Sequence, residues 1–187
     1  MFKSLDAGAT LENYIVVIED LLSADLCDKI VQEYHNENFD YDTHHTFGTD
    51  VRNLYELNIS DTRFINSSNS YTRKLIDTEV HKVVKQIPQY HPVDNIVSDS
   101  GYSLRRMDAG KFYKQHTDQG AGTNWRISCS ICLNDDFTGG DLCFFDGQLK
   151  YPMKKGQAIT FPSNYLYPHE VSEVTSGTRY AIVTWLI

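Results

Sequence analysis

The feature that most constrains the fold is a change of hydrophobic period near residue 98. Beyond it, apolar and polar residues alternate in short runs, which is typical of strands with one buried face. Turn sequences rich in Gly, Asp and Asn separate these runs. Many short strands with tight turns predict a β-sandwich or barrel. The strand candidates are 103–107, 111–116, 126–133, 141–145, 157–161 and 178–185.

Two amphipathic segments with helical period precede the strands. In the first, residues 23–35, Ser23 is suited to cap the helix. The second covers residues 72–90, and Pro88 should end it. Because both helices come before the strands rather than between them, the order argues against a doubly wound parallel sheet. The apolar stripes, expected to face the core, are Leu26, Cys27, Ile30, Val31 and Tyr34, and then Leu75, Ile76, Val80, Val83, Val84 and Ile87. We predict a mainly β (α+β) protein whose antiparallel core is supported by N-terminal helices.

No repeat, linker or low-complexity tract divides the chain, so we predict a single domain over residues 1–187. The strand-rich core is assigned to residues 98–187 and the supporting helices to residues 1–97. Between the helices, residues 37–70 are polar, with one strand candidate at 51–59. A segment of this length in a compact domain is usually functional or mobile, which makes it a candidate substrate-covering loop.

Composition excludes several classes of protein. The net charge is −8, from 17 Lys and Arg against 25 Asp and Glu, which is the wrong sign for binding nucleic acid. The mean hydropathy is −0.42, and no apolar run approaches the roughly 18 to 20 residues of a membrane helix. The N-terminus lacks the features of a signal peptide, so we expect a cytoplasmic protein without membrane contact. Cys129 and Cys132 have C-x-x-C spacing, but residues three apart in a strand point to opposite faces, so they do not predict a zinc or redox pair.

The first candidate for chemistry is the pair His116 and Asp118 at the end of a predicted strand. Residues i and i+2 of a strand project from the same face, so an imidazole and a carboxylate would lie side by side and could chelate one metal ion. A third ligand is His169, which follows a proline between two predicted strands.

Arg179 lies ten residues after His169, in a strand whose face it shares with Ala181, Val183 and Trp185. An arginine on such an apolar face needs an anionic partner, either a protein carboxylate or a ligand carboxylate. Two histidines and one carboxylate are typical of non-haem Fe(II) oxygenases and also of hydrolytic zinc sites. An arginine that could hold a carboxylate cosubstrate favours the oxygenase.

The ordered set His116-x-Asp118, His169 and Arg179 resembles the 2-oxoglutarate/Fe(II)-dependent dioxygenases, in particular their prolyl 4-hydroxylase-like branch. The resemblance runs from about residue 98 onward. Its most specific stretch, PHEVSEVTSGTRYAIVTWLI, is similar to the oxygen-sensing prolyl hydroxylases. RMDAGKFYKQHTD and FTGGDLCFF resemble other parts of the family pattern.

The resemblance implies a double-stranded β-helix, a jelly-roll-like fold. It also implies that His116, Asp118 and His169 ligate Fe(II) and that Arg179 binds 2-oxoglutarate, with O2 as the second cosubstrate and ascorbate as a further candidate cofactor. Two residues depart from the family pattern. Cys132 stands where relatives have a tyrosine that binds the cosubstrate, and Met107 stands at another tyrosine position.

The function implied is hydroxylation of prolyl residues in a peptide or protein, with succinate and CO2 as coproducts. Trp185, on the face of Arg179, is a candidate substrate residue. Tyr113 is a weaker one, because strict alternation would turn it away from His116. Two alternatives remain open at this point: a hydroxylase of a free amino acid or small metabolite with the same fold, and a β-barrel binding module without catalytic activity.

Overall fold

The computed structural model describes residues 8–37, 40–46, 49–60, 70–93, 95–120 and 122–187. Its α-helices are α1 (Ala24–Tyr34) and α2 (Ser70–Val84), and short 3-10 helices cover Leu11–Tyr14 and Ile87–Tyr90. The strands in the first part of the chain are β1 (Val16–Ile18), β2 (Asp40–Thr46), β3 (Thr49–Asn58), β4 (Ser103–Asp108), β5 (Phe112–His116) and β6 (Ile127–Cys132). The later strands are β7 (Thr138–Gly139), β8 (Leu142–Phe144), β9 (Leu149–Tyr151), β10 (Ala158–Pro162), β11 (His169–Val171), β12 (Val174–Ser176) and β13 (Thr178–Leu186).

Eleven of these strands form one curled sheet. Ten of them follow the order β1-β10-β6-β13-β4-β3-β5-β11-β8-β9, and β2, off this path, pairs with β3. Each pairing in this sheet is antiparallel. β7 and β12 form a separate two-stranded ribbon. This arrangement confirms the predicted antiparallel β core. β13, the strand that carries Arg179, lies between β4 and β6 and is therefore supported on both edges.

The two helices cover one face of the sheet. Ser23 accepts a hydrogen bond from the backbone N–H of Leu26, as expected for an N-cap. Between the helices, the buried Arg73 donates to Glu33 at 2.8 Å and to Glu37. The helical residues that pack against the sheet include Cys27, Ile30, Tyr34, Ile76, Val80 and Val84. The prediction that Leu75 faces the core is wrong. Its side chain is 36% exposed because it falls outside the stripe that faces the sheet.

The segment between the helices contains more structure than the single predicted strand. β2 and β3 form a hairpin, and β3 also pairs with β4 and β5. Residues 40–46 and 49–58 are thus part of the sheet. Residues 61–69, which also belong to the proposed covering loop, lie outside the described residues. Within the described part of the chain, no helix is long and apolar enough to cross a membrane.

Candidate metal centre

Three side chains that could hold a metal meet where β5 and β11 pair. His116 is the last residue of β5, Asp118 follows it, and His169 opens β11 directly opposite His116. The candidate ligand atoms of the three residues all lie within 4.8 Å of one another. His116 Nε2 is 3.5 Å from Asp118 Oδ1, and His169 Nε2 is 3.6 Å from Asp118 Oδ2. The predicted ligands are therefore brought together by the sheet itself.

Both imidazoles are oriented by the same type of hydrogen bond. His116 Nδ1 lies 2.9 Å from the carbonyl oxygen of Lys114, and His169 Nδ1 lies 3.1 Å from that of Tyr167. A carbonyl can only accept, so each Nδ1 carries the proton and donates. The Nε2 lone pairs, which face Asp118, are consequently free for a metal ion.

Asp118 is held by hydroxyl groups from neighbouring strands. Ser128 Oγ donates to Asp118 Oδ2 at 2.5 Å and lies 2.8 Å from Ser163 Oγ. Since the Ser128 proton is used on the carboxylate, Ser163 donates to Ser128. This short chain of hydroxyl groups fixes the orientation of the carboxylate.

The protonation states suit a metal site. Burial alone would raise the pKa of Asp118, but the neighbouring imidazoles of His116 and His169 and the hydrogen bond from Ser128 bring it well below its usual range. Burial lowers the pKa of His169 to about 4, so its imidazole is neutral near pH 7. Divalent metals bind ionised carboxylates and neutral imidazoles. Two nitrogens and one oxygen on one side of the site suit an ion with open coordination positions, such as non-haem Fe(II).

The three residues face a cavity inside the curled sheet. Apolar side chains form most of its wall. Its polar side chains are the ligand triad, two arginines and two serines. The lining residues that complete this wall are Leu54, Arg105, Met107, Tyr113, Ser128, Cys129, Ser130, Leu142, Phe161, Val171, Arg179 and Val183. A largely apolar cavity with few convergent polar groups is typical of a small-molecule site.

Arg179 reaches this cavity from β13 with 1% of its surface exposed. Its Nε and Nη2 atoms are buried and have no hydrogen-bond partner in the described part of the chain, and Nη1 lies 4.0 Å from Met107 Sδ. No ion pair with a described carboxylate satisfies it, so the guanidinium is available to an anionic ligand. Gly140 makes room for the side chain, because a Cβ there would lie 2.9 Å from Arg179 Cδ.

The two departures from the family pattern both lie near Arg179. Met107 lines the cavity and contacts Nη1. Cys132 is buried, and its thiol donates to the carbonyl oxygen of Asn134 at 3.1 Å. On the same strand, the Ser130 side chain faces the cavity instead. Cys129 and Cys132 lie in different apolar clusters, in agreement with their expected positions on opposite faces.

Tyr113 lies in the site for a reason that alternation cannot predict. The register of β5 against β11 shifts, so that His169 pairs with His116 while Val171 pairs with Tyr113. This bulge adds one residue to β5 and brings both side chains to the cavity. The Tyr113 ring stacks on the His116 ring with centroids 3.6 Å apart. Trp185 does not line the cavity and instead stacks on Trp125 at 4.2 Å.

Two site residues were missed by the sequence analysis, Ser128 and Arg105. Ser128 lies in the strand predicted at 126–133, where a buried serine gives no sequence signal of a functional role. Arg105 could have been found, since strict alternation along 103–107 places it on the same face as Met107. A charged residue at such a position signals a site in the same way that Arg179 does.

Comparison with known proteins agrees with this geometry. Residues 102–187 match the family model of the 2OG-Fe(II) oxygenase superfamily. The chain is 38% identical over 87 residues to a PKHD-type hydroxylase of Acaryochloris marina, covering 43% of this chain and 39% of the relative. It is 31% identical over 90 residues to a PKHD-type hydroxylase of Idiomarina loihiensis, covering 45% of this chain and 40% of the relative. These matches thus span about two fifths of the length of these relatives.

Two solved structures share the fold at low sequence identity. A prolyl hydroxylase from Trichoplax adhaerens, solved in complex with a hypoxia inducible factor peptide fragment, matches with a TM-score of 0.73 at 17% identity, over 94% of this chain and 84% of the other. A viral collagen prolyl hydroxylase from Paramecium Bursaria Chlorella virus-1 matches with a TM-score of 0.72 at 16% identity, over 95% and 98% of the two chains. The predicted double-stranded β-helix fold is confirmed.

Proposed function

We propose, on the premise that residues 102–187 of this chain belong to the 2OG-Fe(II) oxygenase superfamily, that it is a dioxygenase that hydroxylates prolyl residues in a peptide or protein. 2-Oxoglutarate and O2 are the cosubstrates, and succinate and CO2 are the coproducts. One observation carries the proposal. The His116, Asp118 and His169 triad and the unpartnered guanidinium of Arg179 face the same cavity.

In this proposal, His116, Asp118 and His169 hold Fe(II). When bound, the iron supplies the activation of O2 that couples decarboxylation of 2-oxoglutarate to hydroxylation of a C–H bond. The residues of the chain keep coordination positions open and hold the ligands in their metal-binding protonation states. Ascorbate is the reductant that we would include in assays.

Arg179 binds the carboxylate of 2-oxoglutarate that is remote from the iron. Its planar guanidinium can form two parallel hydrogen bonds with a carboxylate, and burial strengthens both. The pairing also satisfies Nε and Nη2, which have no partner among the described residues. Leu54, Phe161 and Val183 contribute apolar surface to the cavity wall and so help to exclude water from the cavity.

Two findings support a prolyl substrate. The curated relatives reported above are PKHD-type hydroxylases, and the solved structures that share the fold are prolyl hydroxylases, one of them with a bound peptide fragment. We propose that two aromatic residues contact the substrate: Tyr113, which stacks on His116, and Trp185, which lies outside the cavity lining but against the cavity residue Arg105.

The proposal is tested by measuring 2-oxoglutarate turnover with proline-containing peptides and locating the added oxygen by mass spectrometry. We expect succinate to form in step with a hydroxylated prolyl residue. Stimulation by free proline and not by peptides would instead identify a free amino acid hydroxylase. If no candidate substrate stimulates turnover and 2-oxoglutarate does not bind, the chain is a binding module.

An Asp118→Ala variant tests the metal assignment. It removes the only carboxylate of the triad, so we expect loss of bound iron and of succinate production, while the far-UV circular dichroism spectrum remains that of the folded protein. Undiminished succinate production would show that Asp118 is not a ligand.

A further inference from the structure

A second guanidinium, that of Arg105, lies in the wall of the same cavity. Arg105 is in β4, where its backbone pairs with Glu56 of β3 and with Ala181 of β13. Alternation along β4 places it on the inner face together with Met107, and it is 9% exposed. A buried arginine in a cavity that already contains Arg179 needs its own explanation, because an incompletely paired buried cation is costly.

The contacts of Arg105 leave part of its hydrogen-bonding capacity unused. Its Nε donates to Glu56 Oε2 at 3.3 Å. Its terminal nitrogens have no hydrogen-bond partner in the ranges that the structure describes, and neither is closed off from solvent. Two aromatic rings fix the guanidinium in place, with their centroids 5.5 Å away for Tyr113 and 5.7 Å away for Trp185. An arginine held in this way keeps two donors directed at the cavity.

The position of Arg105 separates it from the cosubstrate site. Arg179 pairs with Met107 and Arg105 pairs with Ala181, so the two arginines enter the cavity two residues, or about 7 Å, apart along the strands. The Arg105 guanidinium lies toward the Trp185 end and beside Tyr113, whose ring stacks on His116. It therefore approaches the metal triad through Tyr113, at a position displaced along the strands from the deeply buried Arg179.

We propose that Arg105 binds a carboxylate of the substrate, so that the preferred substrate is a prolyl peptide with an acidic group next to the prolyl residue. This inference rests on the proposed function and adds the substrate class to it. A planar guanidinium with two free donors is matched by a carboxylate. The carboxylate has two possible sources, an Asp or Glu side chain beside the prolyl residue or the free C-terminus of a peptide that ends in proline.

The test compares four peptides of one otherwise neutral sequence with the full-length protein. One is capped at both ends and has a neutral residue beside the proline, and two others replace that residue by Glu or by Lys. The fourth ends in proline with a free carboxylate. For hydrogen bonds to a charged group we expect kcat/KM for an acidic peptide to exceed that for the neutral one by about 10- to 100-fold. Preference for the Glu peptide or for the free C-terminus identifies the source of the carboxylate.

Two variants distinguish recognition of a substrate carboxylate by Arg105 from a purely structural ion pair between Arg105 and Glu56. Arg105→Gln should bring the ratio of acidic to neutral kcat/KM close to one, mainly through KM. Glu56→Gln removes the carboxylate that competes for Arg105, so the ratio should stay the same or rise. Arg106→Gln is the matched control. Arg106 is the next residue on β4, points to the opposite face and contacts Asp108 and Tyr55, so its loss should leave the ratio unchanged.

Two results would overturn the inference. One is an equal kcat/KM for the acidic and the neutral peptide. The other is an equal loss of kcat/KM in Arg105→Gln and Glu56→Gln, as expected of a purely structural ion pair. If prolyl peptides are hydroxylated without an acidic preference, the proposed function stands and only this inference fails.

A binding measurement makes the inference testable without turnover. The chain has two tryptophans, Trp125 and Trp185, stacked on each other beside Arg105. Their fluorescence should respond to the acidic peptide at a concentration about 10- to 100-fold lower than to the neutral one, and this difference should vanish in Arg105→Gln. If the acidic peptide binds selectively and no peptide is hydroxylated, the proposed function fails and the assignment of Arg105 stands. Absence of selective binding overturns the assignment.

Discussion

At the scale of single residues, Arg179 destabilises the folded protein and is the residue proposed to bind the cosubstrate. Its guanidinium is buried with two nitrogens unsatisfied, which destabilises the cosubstrate-free protein. A bound carboxylate would remove that penalty. The sequence alone indicated an anion at this position, because the residue sits on an apolar strand face, but it could not tell a protein carboxylate from a ligand. The structure answers this for the described residues, in which no acidic side chain pairs with Arg179.

We therefore expect Arg179→Met to raise the melting temperature of the cosubstrate-free protein. Loss of an unsatisfied buried charge should stabilise it by about 1 to 3 kcal/mol, or roughly 2 to 4 °C per kcal/mol for a chain of this size. The variant should also lose the further rise that 2-oxoglutarate causes in the wild type with Mn(II) present. Differential scanning calorimetry with and without 2-oxoglutarate measures both effects. A less stable variant that still responds to 2-oxoglutarate would assign Arg179 a structural role only.

In the proposed metal centre, Ser128 would act on the metal through Asp118, as a positioning residue. Its hydroxyl holds the carboxylate at 2.5 Å, so Ser128→Ala should lower the affinity for Mn(II) by about 10- to 100-fold. Isothermal titration calorimetry of the metal-free protein gives the affinity directly. Ser103→Ala is a suitable control, because the Ser103 hydroxyl is buried and has no partner in the part of the chain described. Equal effects of the two substitutions would contradict the assigned role of Ser128.

At the scale of elements, the pairing of β5 with β11 brings together the residues of the candidate metal centre. It also includes features that the sequence could not predict. The spacing of His116 and Asp118 on one strand predicted their proximity, and the same argument predicted six of the strands. β11 and β9 are three residues long, too short to show a period. The bulge that turns Tyr113 into the cavity depends on contact between distant strands, so no local pattern carries it. β2 was missed because its sequence, DYDTHHT, lacks an apolar face.

The turn before β8 has a direct effect on the cosubstrate site. Gly140 has a φ of +65°, and a Cβ there would also lie 3.1 Å from Val174 Cγ2. Gly140→Ala should displace the Arg179 side chain and raise KM for 2-oxoglutarate, by up to about 100-fold for a displacement near 1 Å. Gly147→Ala is the control, since its φ is +74° but its Cβ would be 3.7 Å from Lys150 Cε. Both variants should lose about 1 to 2 kcal/mol of stability from backbone strain. A similar KM in both would show that the space beside Arg179 is unimportant.

At the scale of the whole molecule, burial of weak acids makes the protein sensitive to alkali. Burial raises the pKa of Cys27 to about 11 and the pKa values of Tyr34 and Tyr167 to about 12. Their pKa values in the unfolded chain are lower, at about 8.5 for Cys and 10 for Tyr. Below those values both states are protonated and stability is constant. As the pH rises toward 11 or 12, only the unfolded state loses protons, so stability falls.

The free energy of unfolding, measured by urea denaturation from pH 8 to pH 11, should thus decline from about pH 9 onward. Each such group contributes up to about 1.4 kcal/mol per pH unit. Tyr34→Phe should flatten the decline above pH 10, because the buried Tyr34 hydroxyl has no partner in the described part of the chain and its removal deletes one titrating group. An identical slope in this variant would exclude Tyr34 as a contributor.

The strand order has a consequence for the time course of folding. β1 pairs with β10, and β5 with β11, so strands far apart in the chain must meet before the sheet can curl. Topologies of this kind fold in milliseconds to seconds, because a large loop must close before any contact compensates for the lost entropy. His116 and His169 lie on the two sides of one such late pairing. If the triad holds iron as proposed, metal capture should follow chain collapse as a separate kinetic phase, because His169 joins His116 only once β11 has docked.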